Sequence, residues 1–241
     1  SAVAQQYPGK PVRLIVPWAI GSGTDLMSRI LAQKLGETLG QQVIVDNRGG
    51  ILAFEAVAKA APDGYTLLSS PNNFWLLPFM QNVSYDPIRD FLAIVMVVRS
   101  PNVVVVHPSL PVKSIKELVV LAKARPGYLN FAAGSTGSSS HLAAELFKIT
   151  AGVNIVHIAY KGAAAALNDT IGGQVFLLFS NTAAVAPHAK SGRLRSLAVT
   201  SAQPSALAPD LPTVAQAGFP GYAAAAMYGL FAPAATPAMA V

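Results

Sequence analysis

Residues 12–46 read VRLIVPWAIGSGTDLMSRILAQKLGETLGQQVIVD. An apolar run at 12–16 enters a turn carrying Gly21 and Gly23, an amphipathic stretch at 24–39 follows and stops near Gly40, and a second apolar run opens at Val43. That is one β-α-β repeat of a parallel sheet, and it sets the class as α/β. The pattern continues outward with a helix at 53–60 halted before Pro62 and a strand at 65–69 after the Asp63-Gly64 turn. An aromatic, turn-rich segment at 71–90 and a strand at 91–98 complete the first series. From Val103 the rhythm restarts, predicting strands at 103–106, 128–132, 155–158, 175–179 and 195–200 and helices at 114–124, 138–150, 162–171 and 182–191.

Two α/β units of about 100 residues each follow from this alternation. The join at 99–102 is too short for a flexible linker and is flanked by extended sequence, so the units are expected to meet through strand-like crossings. The alanine-rich stretch at 222–230 predicts a second crossing. The expected lobes are residues 1–100 with 226–241, and 101–225. Two crossings make a hinge, and the cleft between lobes is the expected ligand position, outside the carboxyl ends of the strands.

Composition narrows the function. Hydrophobic residues make up 52% of the 241 and charged residues 12%, with a mean hydropathy of +0.44. Apolar runs such as 91–98 are nonetheless far shorter than the roughly 20 residues of a membrane-crossing helix, so no direct membrane insertion is expected. Lys and Arg number 17 against 11 Asp and Glu, a net charge of +6 that suits anionic partners. The basic residues are scattered singly rather than clustered with aromatics, which argues against nucleic acid. Without cysteine there is no disulfide and no thiolate metal site. Ala2-Val3-Ala4 has the small-x-small shape left by signal peptidase, and equally that of an ordinary frayed terminus.

Three strand-to-helix turns carry glycine and hydroxyl residues in place of bulky ones. The first runs through Trp18, Gly21, Ser22, Gly23, Thr24 and Asp25, with Thr24 expected to cap the next helix. The second is Gly134, Ser135, Thr136, Gly137, Ser138, Ser139, Ser140 and His141; the third is Tyr160-Lys161-Gly162. A helix start presents unpaired N–H groups and a partial positive charge, so such turns favour carboxylate or phosphate. Each is also compatible with a plain tight connection. Dinucleotide binding fails because Leu26 stands where a third glycine is required, and no P-loop pattern occurs.

Enzymatic patterns fare poorly. Neither G-x-S-x-G nor S-x-x-K is present, so the serines of 135–140 read as hydrogen-bond donors. His107, His141, His157 and His188 form no i,i+3 or i,i+4 pair and read as lacking an acidic companion at metal-ligand spacing, so no metal and no cofactor are expected. Of the four, His141 in the serine-rich turn is the one expected near a ligand. Trp18, Phe74, Trp75 and Tyr160 offer rings that could flank a planar guest, although Phe74 and Trp75 read equally as core under a long loop.

Five stretches carry a family resemblance: the run at 7–50, VAKAAPDGYTLL, YDPIRDF, the run at 106–148 and HIAYKGAAAAL. In order and spacing they resemble the Bug receptors, the periplasmic solute-binding proteins of tripartite tricarboxylate transporters. The resemblance implies a two-lobed periplasmic-binding-protein (Venus flytrap, type II) fold that closes on a small carboxylate and presents it to a membrane permease without catalysis. It places the carboxylate on Gly21 to Asp25 and on Gly134 to Ser139. The chain departs from the family pattern in three places. Ala19-Ile20-Gly21-Ser22 brings a hydroxyl where glycine is common. The segment after Asn47-Arg48 is about three residues short. The strand that commonly reads V-D-L-M-F-D-N is Val175 to Asn181 here, VFLLFSN, without either aspartate. An ammonium on the ligand would lose its counter-ion, which argues against an amino acid.

The expectation is therefore a monomeric periplasmic receptor, its signal peptide removed. It would bind a mono- or dicarboxylate, aromatic ones included, through Trp18, Gly21, Ser22, Gly23, Thr24, Asp25, Asn72, Gly134, Ser135, Thr136, Gly137, Ser138, Ser139, His141, Tyr160, Ser180 and Asn181. Two alternatives remain: a hydrolase using a serine near His141, and the sensing part of a regulator, which would need a DNA-binding helix-turn-helix before Tyr7.

Overall fold

A computed structural model describes residues 7–18, 20–21, 23–134, 137–160 and 162–240. In chain order the elements are β1 (Val12–Val16), α1 (Gly23–Leu39), β2 (Val43–Asn47), α2 (Ile51–Ala58), β3 (Thr66–Pro71), α3 (Asn73–Leu76) and β4 (Phe91–Val106). There follow α4 (Ile115–Ala124), β5 (Asn130–Ala132), α5 (Ser139–Ala151), β6 (Val156–Ile158), α6 (Ala163–Ile171), β7 (Leu177–Asn181), α7 (Thr182–Lys190), β8 (Arg195–Val199) and β9 (Ala225–Pro233). The chain divides into two compact units, one of the described residues up to Val98 and from Met227, the other Arg99–Ala226.

In the first unit β1 is central. It pairs in parallel with β2, Val12 opposite Val43, and with β3, Leu14 opposite Leu67; β9 runs antiparallel to β3. Its apolar sequence reflects cover on both faces. Val12 and Leu14 pack with Ala32 of α1, while Ile15 packs with Phe54 and Val57 of α2. The segment at 71–90 folds under the sheet: Phe74 is buried against Phe54, Phe91, Tyr85 and Phe231, and the Tyr85 hydroxyl donates to Phe74 O at 2.7 Å. Trp75 lies edge-on to Phe74 and Phe231. Both rings therefore belong to the core.

The second unit repeats the plan. β5 pairs in parallel with β6 and β7, and the second half of β4 runs antiparallel to β7 and β8. One face carries Leu118 of α4, Phe131 and Phe147 of α5; the other carries Val105, Leu178 and Val185 of α7. α4 opens on a capping arrangement in which Ser114 Oγ accepts from Glu117 N and Glu117 Oε2 accepts from Lys113 N.

Local boundaries shift by one to three residues from the sequence expectation. The larger difference is β4. Residues 91–98, 99–102 and 103–106 form one strand of 16 residues, with Pro101 inside it. The proline is tolerated because pairing with β7 begins only at Asn102, whose N–H is taken by Thr200 Oγ1, so its missing N–H interrupts no rung there. The chain passes from one unit to the other within β4 and again within β9.

Candidate functional site

In the first unit the parallel strands β1, β2 and β3 end on the same side, and the turns that follow them are tied together there. Arg48 N donates to Val16 O at 2.9 Å and Gly50 N to Pro17 O at 3.0 Å. Asp25, 1% exposed in the first turn of α1, organises the glycine turn. Its carboxylate accepts from Gly21 N at 2.9 Å, Arg29 Nε at 3.0 Å and Asn47 Nδ2 at 2.9 Å, and the same Asn47 amide donates to Trp18 O. The Arg29 bond above all, helped by Gly21 and Asn47 and opposed by burial, holds the Asp25 carboxyl down at about 2. Gly21 adopts a φ of 81°, left-handed backbone that favours glycine. Because its carboxylate is taken by the turn's own donors, Asp25 shapes this turn and neutralises Arg29.

Thr24 is buried within the first turn of α1, which starts at Gly23, so the expectation that Thr24 caps the helix is corrected: it lies inside the helix. Ser22 lies outside the described residues. Trp18 is half-buried beside Asn47, and Asn72 is buried where β3 turns into α3. Ser28 of α1 donates to Ser69 of β3 at 2.7 Å, anchoring the helix start to that strand.

The second unit builds its turns the same way. After β5, Gly134 N donates to Ser140 Oγ at 3.0 Å, Ser138 Oγ lies 3.1 Å from Ser140 Oγ and accepts from His141 N. Ser138 thus caps α5. A Cβ on Gly134 would sit 3.1 Å from Ser138 Oγ, so a larger residue here would press on the serine that caps α5. Ser139 is half-buried at the head of α5; Ser135 and Thr136 lie outside the described residues. Gly137 N donates to His141 Nδ1 at 3.2 Å. At the end of β7, Ser180 is buried and Asn181 caps α7, its Oδ1 accepting from Ala184 N at 2.8 Å. After β6, the Tyr160 hydroxyl donates to Asp169 Oδ2 at 2.8 Å; burial, then that carboxylate, pushes the phenol up to about 12. The ring packs on the Val105 and Leu178 side of the core.

The roles of Asn47, Asn102, Ser140 and His157 are set by the fold. Asn102 of β4 stands opposite Asn181 of β7 and is 2% exposed, with an amide Nδ2 that has no hydrogen-bond partner among the described residues. Asn47, Asn102 and His157 meet partners distant in sequence, whereas Ser140 lies in the second turn itself and bonds to Gly134 and Ser138. His141 also corrects the sequence reading in one respect. It has an acidic companion, Glu145, four residues on, with Nε2 3.9 Å from Glu145 Oε1. Among the described residues no group of three or more metal-ligating side chains is assembled, and no helix is long and apolar enough to cross a membrane. A surface hollow of about 740 Å3 lies along α1 and β2, lined by Arg29, Gln33, Gln41 and Gln42.

The hydrolase alternative finds no support in this geometry. Among the described residues the His141 ring bonds to backbone Gly137 and not to a serine hydroxyl, and Ser138 and Ser140 are occupied with backbone N–H groups.

Comparison with known proteins agrees. Residues 27–241 match the family model described as tripartite tricarboxylate transporter family receptor. The chain is 40% identical to protein BugT of Bordetella pertussis over 239 residues, covering 97% of this chain and 73% of that protein. A solved structure of R. palustris Rpa4515 with adipate superposes with a TM-score of 0.81 at 37% identity, covering 97% of this chain and 80% of that one. MatC from Rhodopseudomonas palustris with bound malate gives a TM-score of 0.80 at 28% identity, covering 96% and 80%. The chain therefore has the periplasmic-binding-protein fold and belongs to the tripartite tricarboxylate transporter receptor family, a family of solute-binding receptors and not of enzymes.

Proposed function

We propose that the protein is a periplasmic receptor that takes up a small mono- or dicarboxylate on the turns described above and delivers it to the permease of a tripartite transporter. The observation that carries this reading is the pairing of N–H-rich turns with a lack of available negative charge. α1, α5 and α7 each start at the carboxyl end of a strand, where helix N-termini favour anions. The one carboxylate in those turns among the described residues, Asp25, is already bonded to Arg29. The relatives that hold adipate and malate support the same ligand class. Charge-assisted hydrogen bonds of about 1.5 to 3 kcal/mol each, less the ordering cost, suit micromolar affinity, about -8 kcal/mol.

The residues of β7 refine the class. Phe176, half-buried just before β7, and Ser180, buried within it, stand where the family pattern has aspartate, so neither position offers a carboxylate to an ammonium group. The solute is accordingly a carboxylate without an amino group. The buried Asn102 amide beside Asn181, without a hydrogen-bond partner among the described residues, is an additional donor for it. Isothermal titration against adipate, malate, succinate, benzoate and aspartate is expected to show micromolar binding of at least one of the first four and none of aspartate. Silence from all four carboxylates would overturn the assignment, and tight aspartate binding would overturn the refinement.

A further inference from the structure

We propose that His141 is a positioning residue rather than a ligand contact. As a neutral imidazole it holds the turn after β5 in its carboxylate-accepting shape, and protonation releases that turn. The inference rests on the receptor reading for its functional consequence and on geometry for its mechanism.

The His141 side chain is buried, and its Nδ1 lies 3.2 Å from the Gly137 backbone N. A backbone N–H can only donate, so Nδ1 must carry a lone pair and the ring proton sits on Nε2. Gly137 has a φ of 79°, a conformation the imidazole acceptor helps to retain. The other hydrogen bonds of the turn among the described residues are serine to backbone or serine to serine and do not change with pH between 5 and 8. His141 is the one titrating group among them.

The surroundings favour the neutral ring. The His157 ring from β6 lies 4.4 Å away and stacks on Phe131 of β5 at 4.8 Å, and its Nε2 is buried without a partner among the described residues. A charge on either imidazole disfavours a charge on the other. From α5, Glu145 faces His141 at 3.9 Å, but both its oxygens are 2.9 Å from Lys148 Nζ, which offsets its pull. Burial lowers both histidines from their ordinary value; at His141 Glu145 opposes and Lys148 adds to the shift, and at His157 the His141 ring adds to it. When His141 does take a proton, Nδ1 becomes a donor facing the Gly137 N–H, and the turn must move.

The sign of the effect separates this role from direct contact. An imidazolium touching a carboxylate would strengthen binding on acidification. A positioning imidazole weakens it, by up to about tenfold per pH unit below its own titration, as one-proton linkage requires. Two measurements test it. In the ligand-free protein, nitrogen NMR is expected to show His141 with an unprotonated Nδ1 at pH 7.5 and a Gly137 amide resonance that moves with the His141 titration; a protonated Nδ1, or independent midpoints, would overturn the inference. With adipate as probe, calorimetry at pH 7.5 and 5.5 compares wild type with His141→Asn, which retains an acceptor but cannot titrate. Wild type is expected to weaken more than the variant, whose change reports protonation of adipate itself, and by less than the roughly tenfold that an unshifted imidazole would give at pH 5.5. Equal pH dependence, or strengthening in wild type, overturns it. Should adipate fail to bind at any pH, that counts against the ligand assignment, and the NMR readout decides the role of His141.

Discussion

Replacing Phe74 with alanine is expected to destabilise the first unit by about 4 kcal/mol, near the top of the range for single core truncations. Phe74 is 1% exposed and sits among five rings, with centroids at 4.6 Å for Phe91, 4.9 Å for Phe231, 5.3 Å for Phe54, 5.6 Å for Tyr85 and 6.2 Å for Trp75. Removing the central ring leaves a void that rings on three different chain segments cannot fill together, so the cavity cost adds to the lost transfer energy. Urea unfolding is the measurement, read as a lowered midpoint with an unchanged slope. A loss under about 1 kcal/mol would show that the cluster repacks. There is a functional side to this. Phe74 follows Asn72 by two residues, so the same substitution loosens the turn after β3 and is expected to weaken carboxylate binding at temperatures well below the unfolding transition.

Asparagine at position 25 is the second large effect, expected at about 2 to 4 kcal/mol. The asparagine side chain fits but turns an NH2 group toward a site where Gly21 N, Arg29 Nε and Asn47 Nδ2 all donate, leaving buried donors opposed to one another. The pH dependence follows from the carboxyl being held at about 2 against an ordinary 3.8. A depressed carboxyl contributes stability that is complete above its unfolded value and is lost as pH falls through the folded value. The advantage of wild type over Asp25→Asn should therefore be constant from pH 7 to about 5 and shrink between about 4 and 2. An advantage that persists undiminished at pH 2.5 would show that shape, not charge, holds the turn. Because Gly21 is one of the three partners, the variant is also expected to lose carboxylate affinity at neutral pH.

Much of the architecture was legible in the residues. Strand and helix positions followed from apolar runs and from punctuation such as Gly40, Pro62 and Asp63-Gly64, since hydrophobic period and turn chemistry are local properties. Segment 99–102 was the exception. It read as a strand-like crossing between two separate strands, and in the structure it fuses them into one, because its backbone is supported by Thr200 and Asn181, residues about 80 to 100 positions away.

The candidate turns were legible for the same reason: glycine and hydroxyl residues at strand-to-helix junctions announce N–H groups able to meet an anion. What individual side chains do inside those turns was not. Asp25, Ser138, Asn181, Tyr160 and His141 all read as possible ligand contacts, and in the structure each is bonded to its own unit, to Gly21, His141 N, Ala184 N, Asp169 and Gly137 respectively. Asn102, which no motif marks, is the buried amide with an unused donor.

From composition, period and spacing alone come the α/β class, the two-unit organisation, the three anion-favouring turns and, through the family resemblance, a receptor for carboxylates. Those depend on residues close together in the chain. Only the folded molecule decides whether a polar side chain in a turn is free to meet a solute or is already satisfied by the backbone. That choice depends on which strand ends are brought alongside one another, and on the strong cost of leaving any buried donor or acceptor without a partner.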